Sequence, residues 1–265
     1  CCTTLIFMIN LKIYLLVKHW EKEKKINFAE NFSVKSTQIH GIVMKSGKSV
    51  SLKILVILIS LCPFAGASTL SAQNSKFTLV IDAGHGGHDP GAMGSIIREK
   101  DINLAISLEL GKIVEQNMND VNVVYTRKTD KYLTLQERAD VVNNNHADLF
   151  VCVHTNSAQS SAAYGAETFT LGLAKTKSNL DVAMRENSVI LLEDDYKTKY
   201  KGFDPNSVDS YIMFEFMQDK YIERSVDFAS TIQKQFSNYA HRSDRGVRQA
   251  GFWVLHRSAC PSVLV

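Results

Sequence analysis

From Lys76 onward, short continuous apolar runs alternate with stretches whose apolar residues recur at helical spacing, and that alternation leaves few folds open. Phe77-Thr78-Leu79-Val80-Ile81 reads as a buried strand running into the Gly-rich loop Asp82-Ala83-Gly84-His85-Gly86-Gly87. Asp101–Met118 places Ile102, Leu104, Ala105, Leu108, Leu110, Ile113 and Val114 close to a helical period. Asn122–Thr126 reads as a second strand, Leu135–Asn144 as a second helix, Asp148–His154 as a third strand and Ala166–Leu171 as a fourth. This β-α-β-α-β order predicts an α/β fold: a mostly parallel sheet sandwiched by helices.

In sheets of that kind, ligand chemistry collects at the carboxyl ends of the strands. His85 and His154 both fall at such an end, and Glu99 precedes the first helix. Two histidines and a glutamate form a donor set that catalytic zinc sites use, with a fourth position left for water. From spacing alone, a histidine after an apolar strand is more often a hydrogen-bonded loop residue.

Residues 172–224 break the rhythm. A polar helical stretch, Ser178–Glu193, leads to the turn-rich Asp194–Ser207 and a second helical stretch holding Ile212, Phe214, Phe216 and Met217. Regular patterning resumes in Val226–Tyr239, where Val226, Ala229, Ile232 and Phe236 keep one face. The segment 172–224 therefore reads as a helical insertion over the sheet's edge.

Upstream, Lys45, Lys48 and Lys53 precede the apolar run Ile54–Ile59, and small residues follow at Ala65-Gly66-Ala67 and Ser71-Ala72. That order describes a secretory signal peptide over 44–72, cleaved after Ala67 or Ala72. Its apolar core is shorter than the roughly 20 residues of a spanning helix, so no stable membrane span is expected after cleavage. Residues 1–43 read as an upstream extension outside the fold, with Met44 as the start, and the domain proper as 76–265. Cys62 sits behind Leu61, which is larger than lipidation sites accept. Downstream only Cys152 and Cys260 remain, too few for a disulfide framework, and a bridge between them is left open. A formal charge of +3 gives no reason to expect a nucleic-acid partner.

The blocks together carry a resemblance. Ile81-Asp82-Ala83-Gly84-His85-Gly86-Gly87-His88-Asp89-Pro90-Gly91-Ala92 and Arg98-Glu99-Lys100-Asp101 resemble the zinc-ligand motifs of the N-acetylmuramoyl-L-alanine amidase family that contains the bacterial cell-division amidases. Tyr125-Thr126-Arg127 with Asp130, Leu135 and Arg138 match its middle segment. Ala147–Phe150 through Val153-His154-Thr155-Asn156 matches its second histidine block, and Gly246-Val247 with Pro261–Val265 the approach to its final strand. The resemblance spans about 76–265 with the blocks in order, and implies a phosphorylase/hydrolase-like single catalytic domain. It implies hydrolysis of the amide joining N-acetylmuramic acid to L-alanine in peptidoglycan, in cell-wall turnover and daughter-cell separation. His85, Glu99 and His154 would be the ligands of Zn2+, which would polarise the lactyl carbonyl, activate water and stabilise the oxyanion. The family's general acid/base is a glutamate directly after the Pro-x-Val-Leu-Val block; the sequence stops at Val265, so no catalytic proton shuttle is expected within it and a truncated domain is expected instead.

In some relatives a helix inserted at the position of 172–224 covers the zinc until an activator protein removes it. Glu186 or Glu215 would then take the water position; the alternative is that the segment shapes a peptide groove. An exported protein of the periplasm or cell envelope is expected. Two other functions stay open: a zinc peptidase cutting within the stem peptide, and a non-catalytic peptidoglycan-binding module of the same fold. Of the remaining polar residues, Asp82 reads either as an orienting partner of His85 or as a turn cap. Asn156 reads as a substrate contact or a turn residue, and His88 as a solvated loop residue. Arg127 and Arg138 read as ties between loops and carboxylates, while His146 and His256 fit no motif.

Overall fold

The computed structural model describes residues 76–94, 96–157, 163–215 and 220–265, with the side chain of Glu215 not among them. The upstream extension and the signal peptide, 1–72, lie outside the described residues. Among the described residues no helix is long and apolar enough to cross a membrane.

Six strands form one sheet: β1 (Phe77–Ala83), β2 (Val121–Tyr125), β3 (Leu149–Val153), β4 (Ala166–Leu171), β5 (Asp244–Ala250) and β6 (Ser262–Leu264). Their order is β2-β1-β3-β6-β4-β5. The first four in that order run parallel, β4 and β5 run parallel to each other, and β4 meets β6 antiparallel. The sheet is thus mixed and mostly parallel, as the alternation predicts.

The helices are α1 (Glu99–Asn117), α2 (Leu135–Asn144), α3 (Lys177–Asn187), α4 (Tyr196–Lys199), α5 (Val208–Ile212), α6 (Ile222–Asn238) and α7 (Trp253–His256). The Thr134-x-x-Glu137 sequence starts α2 with a full capping box, in which each side chain bonds the other's backbone N–H. A cap of this type contributes about 1 kcal/mol to its helix.

Successive strand side chains point to opposite faces, so each buried strand feeds two cores. Val80, Phe150 and Cys152 pack on one face with α2, α3 and α7. Leu79, Leu149, Val151 and Val153 point to the other face, which α1 and α6 flank.

The segment 172–224 does more than cap an edge. Ala183, Ile190, Tyr200, Phe203, Tyr211 and Phe214 join the core cluster that includes Phe150, Phe252 and Leu255. Tyr200 and Phe203 pack on Trp253 at ring-centroid distances of 5.1 and 5.0 Å. Sequence periodicity merges Ser178–Glu193 into one helix, whereas α3 ends at Asn187 and a 3-10 turn, Ser188–Leu192, follows. The tighter turn swings Ile190 into the core, where none of its surface is exposed.

Candidate active site

Because β1 and β3 are parallel neighbours with Ala83 opposite Val153, the residues following each strand emerge side by side. Gly84 donates to the Val153 carbonyl, and His154 donates to that of Val265 at the end of β6. Gly84 must be glycine, since a Cβ there would run into the His154 ring. His85 itself adopts φ 62°, a conformation few non-glycine residues hold without compensation.

That compensation comes from two buried arginines. Arg138 donates to Asp82 Oδ1 at 2.6 Å and to the carbonyls of Ala83 and His85 at 2.8 Å each. Arg127 donates to the carbonyls of Ala83, Gly84 and Lys100. Arg138 ties the loop to a carboxylate as the sequence suggests, whereas Arg127 binds backbone carbonyls. The remaining acceptor capacity of Asp82 goes to Thr126 and to the Cys152 thiol, so Asp82 neither orients His85 nor caps a turn.

The orienting carboxylate is Asp89. Its Oδ2 lies 2.7 Å from His85 Nδ1, and its Oδ1 accepts from the Gly91 N–H. With Nδ1 held there, Nε2 of His85 faces inward, where it can bind a metal ion in place of a proton. The sequence motif contains Asp89 without marking its role; the signal for it is a carboxylate four residues past a candidate ligand histidine.

Glu99 starts α1, where a carboxylate is favoured by the helix dipole. Its Oε2 accepts from the Ala92 N–H at 2.9 Å and its Oε1 from the Thr155 N–H at 2.8 Å, so both neighbouring loops are stitched to it. Oε1 also lies 3.5 Å from His85 Nε2 and 3.3 Å from His154 Nδ1. His85, Glu99 and His154 thus bring their donor atoms within 4.8 Å of one another.

A fourth group enters from α3. Glu186 Oε2 stands 3.3 Å from His85 Nε2 and 3.0 Å from His154 Nδ1. His85 Nε2, His154 Nδ1 and Glu186 Oε2 are all buried without a hydrogen-bond partner. Three orphaned buried donor atoms around one point, completed by Glu99, form a nitrogen and oxygen set that a zinc ion fits.

The electrostatics agree. Burial alone would lower both imidazoles, yet Asp89, Glu186 and Glu99 push His85 up to about 11, and Glu186 with Glu99 push His154 up to about 9. Burial would raise the two glutamates, but the facing histidines hold Glu99 far below the usual carboxylate range and Glu186 down to about 2. Two buried carboxylates facing two imidazoles demand positive charge between them, whether protons or a cation.

The other sequence candidates lie apart from this point. His88 is exposed and stacks on Tyr132 at 3.9 Å between centroids. His146 occupies a left-handed turn after α2, and His256 packs its ring against Phe214 and Trp253. Asn156 donates to Glu167 Oε1 at 3.3 Å. Cys152 and Cys260 are both buried, and no disulfide joins them.

Comparison with known proteins adds independent findings. The sequence model of a family described as N-acetylmuramoyl-L-alanine amidase matches residues 79–265. The uncharacterized protein YqiI of Bacillus subtilis strain 168 is 35% identical over 188 residues, 71% of this chain and 67% of that protein. The N-acetylmuramoyl-L-alanine amidase AmiA of Escherichia coli K12 is 31% identical over 205 residues, 76% of this chain and 68% of its own. Among solved structures, an N-acetylmuramoyl-L-alanine amidase from Clostridium difficile 630 aligns with a TM-score of 0.51 and 27% identity. That alignment covers 72% of this chain and 78% of the other.

Proposed function

Because the chain belongs to the N-acetylmuramoyl-L-alanine amidase family and has that family's peptidoglycan amide hydrolase activity, we propose that it works as a zinc enzyme, with His85, Glu99 and His154 as the metal ligands. The observation that carries this reading is the convergence of His85 Nε2 and His154 Nδ1, both buried without a hydrogen-bond partner, on Glu99 Oε1. A zinc ion held there supplies a Lewis acid for the scissile carbonyl and hydroxide near neutral pH.

The chain's own residues do the positioning. Asp89 accepts the Nδ1 proton of His85 and so fixes the ring with Nε2 aimed inward, where a metal ion would take the place of the Nε2 proton. Ala92 and Thr155 hold the Glu99 carboxylate in one orientation. Val265 bonds both Cys152 and His154, which brings the carboxyl end of β6 to the same place. In the family a glutamate directly after this strand moves the proton to the leaving amine.

The placement of Glu186 supports a resting state in which 172–224 covers the metal position, with Glu186 standing where substrate water would bind. Activity then depends on a partner that draws α3 aside. We further propose that the enzyme works outside the cytoplasm, in the periplasm or cell envelope, in wall turnover and cell separation; its peptidoglycan substrate and the basic, apolar, small-residue order of 44–72, read as a signal peptide, support this.

The test is an assay of the full-length protein on purified peptidoglycan. Release of stem peptides with N-terminal L-alanine, lost on chelation and restored by zinc, is the expected result. Peptides cut internally would instead identify a zinc peptidase, and zinc binding without release, even in the Glu186→Ala variant, a binding module.

A further inference from the structure

A trench of about 890 Å³ opens on the face of the sheet flanked by α1 and α6, and His154 lies on its wall. Most of its lining is apolar, but Asn156, Glu167, Arg185 and Arg245 are polar groups along it. Asn156 sits two residues beyond His154 and donates its Nδ2 proton to Glu167 Oε1, while its own Oδ1 is buried with no partner.

Glu167 is shared. Its Oε2 accepts from Arg245 Nε at 3.2 Å and lies 3.0 Å from Arg248 Nε. Arg248 spends another donor on Asn179 Oδ1 at 2.9 Å. The terminal nitrogens of Arg245 donate to no acceptor among the described residues, and its side chain is 38% exposed. Two guanidinium groups thus share one carboxylate, leaving an excess positive charge and an unused planar donor fork open to the trench. Such a fork matches a carboxylate in geometry and charge, and a lysine would not reproduce it.

We propose that Arg245, steadied by Glu167 and Arg248, binds a free carboxylate of the stem peptide, while Asn156 Oδ1 accepts a peptide N–H between that carboxylate and the metal. This rests on the amidase reading, since it is the stem peptide that leads away from the scissile amide. It makes Arg245 a determinant of which stems are bound, according to whether the acidic residue after alanine is free or amidated.

The experiment uses two soluble stem peptides that differ only in that carboxylate, free in one and amidated in the other, titrated calorimetrically into the purified chain with one equivalent of zinc. The free form is expected to bind roughly tenfold tighter, the scale of one charge-assisted bidentate contact. Arg245→Gln should erase that preference, so that the two peptides bind equally, and Arg245→Lys, which keeps the charge but not the planar fork, should restore only part of it. Equal binding of the two peptides, binding of neither, or a preference that survives Arg245→Gln overturns the subsite. The amidase reading is judged separately, by zinc-dependent release from peptidoglycan. Release without any preference between stem types sinks the subsite alone, and no release sinks the amidase reading while the calorimetry still reports on Arg245.

Discussion

Glu186 and His154 face each other at 3.0 Å, Oε2 to Nδ1, and neither atom makes a hydrogen bond. The residue after Glu186 explains why that approach persists. Asn187 is buried, donates to the Gly251 carbonyl at 2.7 Å and accepts from the Trp253 N–H at 2.9 Å. Glu186 is therefore held by a peg in the core, each bond of which contributes about 1 kcal/mol net. Glu186→Ala is expected to raise hydrolysis of peptidoglycan roughly tenfold or more while zinc stoichiometry stays at about one, the scale set by about 1.4 kcal/mol of lost lid contact. Loss of activity in Glu186→Ala would make Glu186 a participant in the chemistry rather than a cover.

Asp89 is 2.7 Å from His85 Nδ1 and touches no other part of the candidate metal position. Asp89→Ala should keep all three proposed ligands yet weaken zinc binding by roughly 10–100-fold, the usual cost of removing a partner behind a ligand histidine. Competition against a chromogenic chelator measures this directly. Unchanged affinity would mean that the His85 ring is fixed by packing alone.

Much of this site was legible in the sequence, for reasons that differ by residue. His85 and His154 follow continuous apolar strands, and the parallel register of β1 with β3 turns that sequence position into spatial adjacency. The Thr134 to Glu137 spacing starts α2 at Leu135, where the periodicity begins. The start of α1 was less clear, because Glu99 and Lys100 are buried polar residues and carry no apolar period. The roles of Asp82 and Asp89 were opaque for another reason. Both precede or follow His85 closely, and only the fold decides that Arg138 claims the first and His85 the second. The packing of 172–224 was equally hidden, since Tyr200, Phe203, Tyr211 and Phe214 are spread over short helices and turns with no common period.

Cys152 offers a test of how tightly the layer beneath the site is closed. Its thiol is buried, donates to Asp82 Oδ2 at 2.9 Å, and is pushed well up by burial and by that carboxylate. Thiol reagents act on the thiolate, so Cys152 should stay unmodified at pH 8 in the native protein and react on unfolding. Cys260 is buried as well, so mass spectrometry after alkylation should find both unmodified until denaturant is added. Rapid native-state labelling of Cys152 would mean that the sheet opens beneath the candidate metal position.

The buried pair of Asp82 and Arg138 sets the acid limit of the fold. Burial would raise the Asp82 carboxyl, but Arg138, then the Cys152 and Thr126 donors, hold it below the ordinary aspartate range. A carboxyl whose folded pKa is depressed contributes stability above its unfolded value near 4, and that contribution disappears as pH falls through the lower folded value. Thermal stability should therefore be level from about pH 7 to 5 with respect to this group, then fall below about pH 4. Asp82→Asn should flatten that acid limb and lower stability at pH 7, because Arg138 is then buried without its counter-charge. Removing one partner of such a pair costs roughly 3–5 kcal/mol. Arg138→Met removes the guanidinium instead and strands Asp82, and it also frees the His85 carbonyl that Arg138 holds at 2.8 Å. Arg138→Met should thus weaken zinc binding, whereas Asp82→Asn, which leaves the Arg138 contact to His85 in place, should weaken it less. Melting curves across pH together with zinc affinity of both variants separate the two effects, and equal zinc affinities would show that the His85 loop does not depend on Arg138.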